Sequence, residues 1–261
     1  MTSDIPVSLA SKAVKYENFV NAYENTFELY NKLVFNLIIP LLNLELNHTL
    51  LDLGCGNGSC EELLSIQRPY INIIGIDSSK SMISRALSRL IPNTEFIQGD
   101  CLRLRFADCF FDRCVANFVI NSVKNPEKLI SEAFRVLKPG GIFVFSYPIL
   151  KDSNDLLKIL KKSLRKVKIG PKSSKIIDYS PLCQAGGFYQ VRFFDTNVGV
   201  CIKSGNEACD FLAPLKDLAK IKDKELYKKV FENISEFVKT ELVNGKALVI
   251  GSRIVIAYKP Y

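Results

Sequence analysis

The residues best suited to chemistry lie in a short glycine-rich segment at positions 51–58, which reads LDLGCGNG. Glycines at a turn from strand to helix let backbone N–H groups approach a ligand closely. Dinucleotide-binding folds read GxGxxG there and place a pyrophosphate on the helix N-terminus. This segment reads GxGxG, and Asp52 stands two residues before the first glycine. A carboxylate at that position would repel a pyrophosphate and suit a cationic ligand, while a tight structural turn is the alternative interpretation.

Two further acids follow apolar runs that have the character of buried strands. Asp77 ends the run Ile-Gly-Ile-Asp, where a carboxylate can accept hydrogen bonds from both ribose hydroxyls of a nucleoside or simply cap the next helix. Asp100 lies between Gly99 and Cys101, where a carboxylate can accept from the exocyclic amine of adenine or merely form a turn. Asp77 alone fits an NAD enzyme equally well.

Five apolar runs alternate with amphipathic segments over residues 48–147, and this alternation must position those acids. The predicted strands are 48–54, 71–77, 94–98, 111–118 and 142–147. Helices are expected over 16–43, from Asn57 or Ser59 to Ile66, from Ser78 or Ser79 to Leu90, from Pro126 to Leu137, over 154–167 and over 206–243. Such alternation predicts a parallel sheet that binds its ligand at the carboxyl ends of the strands.

The segment RVLKPGG at residues 135–141 contains a Pro and glycines that should turn the chain from helix to strand. Together with this segment, the strands, helices and acids described above resemble those of class I S-adenosylmethionine-dependent methyltransferases. The resemblance is strongest to the methyltransferase type 11 group, which includes the ubiquinone/menaquinone-type small-molecule enzymes, and covers about residues 48–148. It implies a Rossmann-like, seven-stranded, mostly parallel sheet with helices on both faces plus a helical cap. Segments 189–194 and 247–258 are the candidates for strands six and seven, the last antiparallel.

The resemblance also implies one methyltransferase domain over residues 1–261. Residues 1–45 would form an N-terminal helical cap, and residues 46–150 the cofactor-binding core. Residues 151–261 would supply substrate-side helices and the last two strands.

The cofactor implied by the resemblance is S-adenosyl-L-methionine. Its contacts would be Asp52, Gly54, Cys55, Gly56, Asp77, Ser78, Met82, Asp100, Cys101, Asn117 and Phe118. Asp52 would face the methionine amino end, Asp77 the ribose hydroxyls, and Asp100 the adenine amine. Asn117 and Phe118 would lie beside the transferable methyl group.

No general base is evident, so the catalytic residues are left unassigned. The single histidine, His48, stands at the start of the first strand, the wrong end of the sheet. The acceptor-side candidates are Tyr16, Tyr23, Asn117, Tyr147 and Tyr179, although a tyrosine more often packs in a core or on a surface than it catalyses.

Composition and charge limit the kinds of partner that we expect for this chain. The chain of 261 residues carries eight cysteines, whose CxxxxC spacings do not match a zinc site, so we expect no metal. Without an early basic cluster or a long apolar run, we expect a reduced, cytoplasmic protein with no membrane span. Of the net charge of +8, +7 lies within residues 151–175. This basic segment is either a solvated helix face or a surface for an acidic carrier protein.

Several functions remain open at this stage. Transfer of a methyl group to a small-molecule acceptor by in-line displacement fits the motifs best. A tRNA or rRNA methyltransferase using the basic segment, a non-catalytic S-adenosylmethionine-binding module and a Rossmann-type oxidoreductase are the alternatives. The sequence after the fourth strand reads Ala-Asn-Phe-Val, without the prolines of base-amine methylating enzymes, and this argues against a nucleic-acid base amine of that type as the acceptor.

Overall fold

The computed structural model describes residues 28–149, 155–170, 177–200, 204, 208–209, 221, 223–243 and 248–261. Its strands are β1 (Thr49–Leu53), β2 (Asn72–Asp77), β3 (Thr94–Gln98), β4 (Phe111–Asn117), β5 (Leu137–Pro148), β6 (Gln190–Val200) and β7 (Leu248–Tyr258). Its α-helices are α1 (Glu28–Ile38), α2 (Ser59–Gln67), α3 (Lys80–Ser88), α4 (Pro126–Val136), α5 (Asp155–Lys166), α6 (Ser180–Ala185) and α7 (Lys224–Val243). A 3₁₀ turn at Ile39–Leu42 continues α1.

The strands form one seven-stranded sheet in the order β3-β2-β1-β4-β5-β7-β6. Strands β1 to β5 pair in parallel, and β7 runs antiparallel to β5. The chain moves outward from β1 through β2 to β3, then returns to place β4 on the other side of β1. The switch point of the sheet therefore lies between β1 and β4, and ligands bind at such a point. The predicted fold class is confirmed, including the antiparallel last strand.

The two directions of winding place helices on both faces of the sheet. Leu51 and Leu53 of β1 point to one face and join a buried cluster that includes Leu129 of α4. Because side chains alternate along a strand, Leu50 and Asp52 point to the opposite face. Asp52 is only 2% exposed there.

Some predicted boundaries were wrong by a few residues. Helix α2 is preceded by Gly58 at φ 80°, with no side-chain cap, rather than capped by Asn57 or Ser59. Helix α3 ends at Ser88 rather than Leu90, because Leu90 adopts a left-handed backbone conformation at φ 52°.

The reversal from helix to strand comes earlier than the prolines and glycines suggested. β5 already begins at Leu137, so the segment Lys138–Gly141 lies within the strand. The predicted helix over residues 16–43 is observed only from Glu28, and residues 16–27 lie outside the described part.

The described residues divide into two compact units. One comprises Tyr30–Ile149, Ile177–Thr196 and Ser252–Tyr261 and holds nearly all of the sheet. The other includes α5 and α7, where the Lys166 amine lies 2.8 Å from a Glu236 carboxylate oxygen. In the same unit, the Lys162 and Lys166 amines lie 5.9 and 5.6 Å from the Phe237 ring centroid.

None of the described helices has the length and apolar character needed to cross a membrane.

Candidate cofactor-binding site

The glycine-rich loop between β1 and α2 is anchored to the neighbouring strand β2. The N–H groups of Gly54 and Cys55 both donate to the carbonyl oxygen of Ile76, at 2.7 and 3.0 Å. Gly54 has φ 84°, and a Cβ atom there would lie 2.4 Å from Val119 Cγ2. Gly58 has φ 80°, and a Cβ atom would lie 2.9 Å from Phe96 Cζ. Only glycine satisfies both the backbone conformation and the space at these two positions.

Asp77 ties this loop to the start of α3. Its Oδ2 accepts from the Gly56 N–H at 3.0 Å, and its Oδ1 accepts from the Ser79 N–H at 2.8 Å. Burial raises the pKa of Asp77, and these N–H donors oppose that rise. A carboxylate has about four acceptor positions, so two contacts leave capacity for further donors. Asp77 thus shapes the loop, and its role towards the ribose hydroxyls stays a prediction.

A second buried acid faces Asp52, and the sequence did not single it out. Glu61, in the first turn of α2, is completely buried. Neither Glu61 oxygen, nor Oδ1 of Asp52, hydrogen-bonds to a described residue. Burial, joined by the negative charge of Asp52, raises the pKa of Glu61 well above its usual range. Burial also raises the pKa of Asp52 to about 7. The edge of the sheet therefore holds two carboxyl groups without a counterion among the described residues.

Glu61 was missed because it looked like half of an acidic pair, Glu61-Glu62, at a helix N-terminus. Of these two acids, only Glu62 is partly exposed in the structure. Its carboxylate lies 2.7 Å from the Arg89 guanidinium and 3.6 Å from the Lys32 amine. Glu61 lies three residues before the buried Leu64, on the inner face of α2. That i, i+3 relation was the available signal.

The end of β4 contributes Asn117 and Phe118 at the same edge. The Asn117 Oδ1 accepts from Ser146 Oγ at 2.6 Å, and its Nδ2 donates to the Asn31 carbonyl at 3.2 Å. Phe118 adopts φ 59°, a conformation that costs energy for a bulky residue and is often found at functional sites. Its ring stacks on Tyr30 with a centroid distance of 4.9 Å. These contacts fix both residues at the end of β4, and their place beside the transferable methyl group stays a prediction.

The predicted adenine contacts lie beside the ends of β2 and β3, whose residues Asp77 and Gln98 pair in register. Asp100 is exposed, and its Oδ1 accepts from the Leu102 N–H of its own turn at 2.9 Å. Cys101 is half-buried, and burial raises the pKa of its thiol to about 12.

The remaining predicted contacts of this group are Ser78 and Met82. The exposed Ser78 accepts from Gln98 Nε2 through its carbonyl oxygen at 3.2 Å. Met82 is buried on the inner side of α3. Their role, like those of Asp100 and Cys101, stays a prediction.

The described tyrosine candidates pack as core residues. The rings of Tyr147 and Tyr179 meet edge to face at a centroid distance of 4.9 Å, and both are nearly buried. Burial raises the pKa of Tyr147 to about 12, against the lowering effect of the nearby Arg253 guanidinium. Both tyrosines therefore hold their protons at neutral pH. Tyr16 and Tyr23 lie outside the described residues.

Among the described residues, no group of three or more His, Cys, Asp or Glu side chains is arranged to hold a metal ion.

A comparison with protein families matches residues 51–145 to the family described as "Methyltransferase domain". This region is a methyltransferase domain. It runs from β1 into β5 and includes the glycine-rich loop, Asp77 and the Asp52–Glu61 pair.

Curated relatives share the same part of the chain. The demethylmenaquinone methyltransferase of Paenarthrobacter aurescens is 31% identical over 121 residues, which cover 44% of this chain and 45% of that protein. The trans-aconitate 2-methyltransferase of Deinococcus radiodurans is 31% identical over 101 residues, covering 39% and 38%. The biotin biosynthesis bifunctional protein BioHC of Teredinibacter turnerae is 32% identical over 146 residues, covering 51% and 26%. The chain thus spans less than half the length of these relatives.

Solved structures support the fold. The phosphoethanolamine N-methyltransferase 2 of Haemonchus contortus, in complex with S-adenosyl-L-methionine, superposes with a TM-score of 0.60 at 17% identity. That match covers 98% of this chain and 62% of the other. The YcgJ protein of Bacillus subtilis matches with a TM-score of 0.57 at 19% identity, covering 87% and 98%.

The residues of this methyltransferase domain fit S-adenosylmethionine as its cofactor. The glycine-rich loop would be filled by side chains at Gly54 or Gly58, and it lies beside buried carboxyl oxygens that lack partners among the described residues. Buried acids of this kind call for a cationic group. The cofactor carries a cationic amino group and a sulfonium.

Proposed function

We propose that this chain transfers a methyl group from S-adenosylmethionine to a small-molecule acceptor. The observation that carries the proposal is the carboxyl of Asp52, 2% exposed and with one oxygen unpaired, beside a glycine loop that Asp77 orders. A dinucleotide pyrophosphate would be repelled by that carboxyl, whereas a cationic amino acid end would be attracted. Two of the relatives are named for small acceptors, demethylmenaquinone and trans-aconitate, and this supports the acceptor class.

When bound, S-adenosylmethionine supplies an electrophilic methyl group on a positively charged sulfur. The work of the chain is then to hold the reactants in line and to exclude water. Asp52 and Asp77 hold opposite ends of the cofactor in this proposal. Phe118, fixed by its stack on Tyr30, supplies a rigid apolar surface at the end of β4.

The acceptor needs no base from Tyr147 or Tyr179, since both keep their protons at neutral pH. We therefore assign no proton transfer to these two residues. An acceptor atom that is already nucleophilic, or whose proton leaves late, suits such a site.

The basic segment gives less support to an RNA or an acidic carrier protein as partner. Lys158 pairs with Asp155 at 3.0 Å, and Lys166 pairs with Glu236 at 2.8 Å. These contacts neutralise part of the positive charge within the same unit. A carrier protein at Lys158, Lys161, Lys162, Arg165 and Lys166 remains a proposal, tested by reversing Lys161, Lys162 and Arg165 to Glu and comparing KM for a carrier-bound acceptor.

The function is tested by titrating the full chain with S-adenosylhomocysteine in a calorimeter and by assaying transfer of labelled methyl groups. Demethylmenaquinone, trans-aconitate and bulk tRNA serve as acceptors in parallel. We expect saturable cofactor binding and label in a small-molecule fraction. Binding of NADH in place of S-adenosylhomocysteine, or label found only in tRNA, would contradict the proposal.

A further inference from the structure

Glu61 is a buried acid whose contacts do not explain its presence. It is fully buried on α2, its two oxygens have no hydrogen-bond partner among the described residues, and its carboxyl faces that of Asp52. A buried polar group without a partner costs free energy, on the order of 1–3 kcal/mol, unless something compensates for it. An alanine or leucine would fill the same place in a helix at no such cost, so Glu61 calls for a role.

The groups that act on the Glu61 carboxyl are acids, while the nearby Lys32 amine of α1 acts on Cys60 and pairs with Glu62 at 3.6 Å. Asp52 lies on β1 beneath Glu61, Asp77 stands at the end of β2, and the buried thiols of Cys55 and Cys60 lie in the adjoining loop and helix turn. No described Lys, Arg or His side chain forms an ion pair with Asp52 or Glu61. Two carboxylates so placed cannot both be ionised without a cation, because their repulsion is barely screened in a buried site.

We propose that Glu61 is a positioning residue that keeps a proton at neutral pH and shares it with Asp52, so that Asp52 is the single carboxylate offered to the cofactor's α-ammonium group. This inference rests on the proposed function and adds a role for a residue outside the glycine loop. The pair would present one negative charge to the one positive charge of the amino group.

The acidities of the two groups agree with this division of roles. Burial raises the pKa of both, but the contact with Glu61 lowers that of Asp52, which settles at about 7. The same contact and the charge of Asp52 raise the pKa of Glu61 further. The two carboxyls lie against each other, and each changes the proton affinity of the other. The pair therefore holds one proton between its two carboxyls, and the proposal places that proton on Glu61.

The test compares two substitutions at Glu61 in the full chain. Glu61→Gln keeps a hydrogen-bond donor of the same shape, whereas Glu61→Leu removes the donor and keeps the volume. Calorimetric titrations with S-adenosylhomocysteine run from pH 6 to pH 9. Each is repeated with 5′-methylthioadenosine, which shares the nucleoside but has no α-ammonium group. Glu127→Gln, an exposed acid in the first turn of α4, is the matched control.

We expect Glu61→Gln to bind S-adenosylhomocysteine within about threefold of the unmodified chain at pH 7. Glu61→Leu should bind it about tenfold or more weakly, as expected for loss of a hydrogen bond to a charged group. The pH at which its binding is half-developed should rise by about one unit, because Asp52 has lost its donor. Binding of 5′-methylthioadenosine should be unchanged in both variants, and circular dichroism melts confirm that both fold.

Three results would overturn the inference. Equal loss in Glu61→Gln and Glu61→Leu would mean that Glu61 acts as an ionised ligand. Equal loss of both probes in Glu61→Leu would mean that its role is structural. Unchanged affinity and an unchanged pH midpoint in Glu61→Leu would remove the role altogether. Failure of the folded, unmodified chain to bind S-adenosylhomocysteine is a distinct result that would overturn the proposed function as well.

Discussion

Two buried glutamates, one on α2 and one on α4, show opposite uses of the same side chain. Glu132 accepts hydrogen bonds from Arg135 Nε at 3.1 Å and from the Leu104 N–H at 2.8 Å. These contacts, of which that with Arg135 has the largest effect, lower the pKa of Glu132 to about 2. Glu61 has no such donors among the described residues, faces Asp52, and has its pKa raised. A partnered buried acid holds the fold together. A buried acid that lacks such donors and faces a second acid is common at functional sites, and we place the cofactor beside this pair.

The largest expected effect comes from substituting Glu132, the buried acid that accepts hydrogen bonds from Arg135 and Leu104. Glu132→Gln should lower the free energy of unfolding by about 3 kcal/mol at pH 7, because Arg135 and Lys128 both lose contact with a buried carboxylate. Urea denaturation measures this difference.

The pH dependence gives a second check on Glu132. A folded-state pKa below the unfolded value means that the carboxylate stabilises the fold above about pH 4.5 and loses that contribution as the pH falls towards 2. The gap between the two proteins should close over that range. A gap that stays constant with pH would show that Glu132 stabilises by packing alone.

The second prediction concerns the loop beside the unpartnered pair. Gly54→Ala should cost about 2 kcal/mol of stability and abolish binding of S-adenosylhomocysteine, because the new Cβ meets Val119 and the backbone is left-handed. Gly170→Ala is the control, since nothing lies within 4 Å of its Cβ position. Thermal melts measure the loss of stability, and calorimetry measures the loss of binding. Normal binding by Gly54→Ala would show that the loop tolerates a side chain and that its glycines are not needed for a ligand.

The third prediction separates two acids at the same edge of the sheet. Asp77→Ala and Asp100→Ala should each weaken binding of S-adenosylmethionine by about 1–3 kcal/mol. Only Asp77→Ala should also lower stability, because the N–H groups of Gly56 and Ser79 lose their acceptor. Calorimetry and urea denaturation measure the two quantities. If both variants bind normally, the nucleoside has been placed wrongly.

The smallest expected effect is on the stability of the ligand-free protein and concerns Glu61. A folded-state pKa raised above the unfolded value means that stability falls as pH rises from about 4.5 through the folded pKa. Glu61→Gln removes this penalty, so its stability relative to the unmodified chain should rise by about 1 kcal/mol between pH 5 and pH 6. Thermal melts at the two pH values measure the change. A relative stability that is the same at both would indicate that Glu61 titrates normally.

The core of the fold could be predicted from the sequence because buried parallel strands appear as short, continuous apolar runs. Strand β3 has the predicted bounds, β2 and β4 each differ from the prediction by one residue at one end, and β1 is one residue shorter at both ends. Asp52, Asp77 and Asp100 were proposed as site residues because each stands at or beside the end of an apolar run. Parallel strands bring those ends to one edge, so three local signals predicted one site.

Glu61 could not be found in the same way because a helix's inward face depends on where the helix begins. Each residue advances an α-helix by about 100°, so moving the start by one residue exchanges the inward and outward acids. The sequence offered Asn57 or Ser59 as caps, whereas Gly58 precedes α2 in the structure. The contact of Tyr147 with Tyr179 was equally hidden, since Tyr179 precedes the short α6 in a segment with no regular period.

A crystal structure of the full chain with S-adenosylhomocysteine would test the central claim most directly. The account predicts the α-ammonium nitrogen within about 3 Å of an Asp52 oxygen, the Glu61 carboxyl on the other side of Asp52, and the ribose against Asp77. A ligand bound away from the carboxyl edge of β1, or an α-ammonium group paired elsewhere while Asp52 and Glu61 stay buried together, would contradict it.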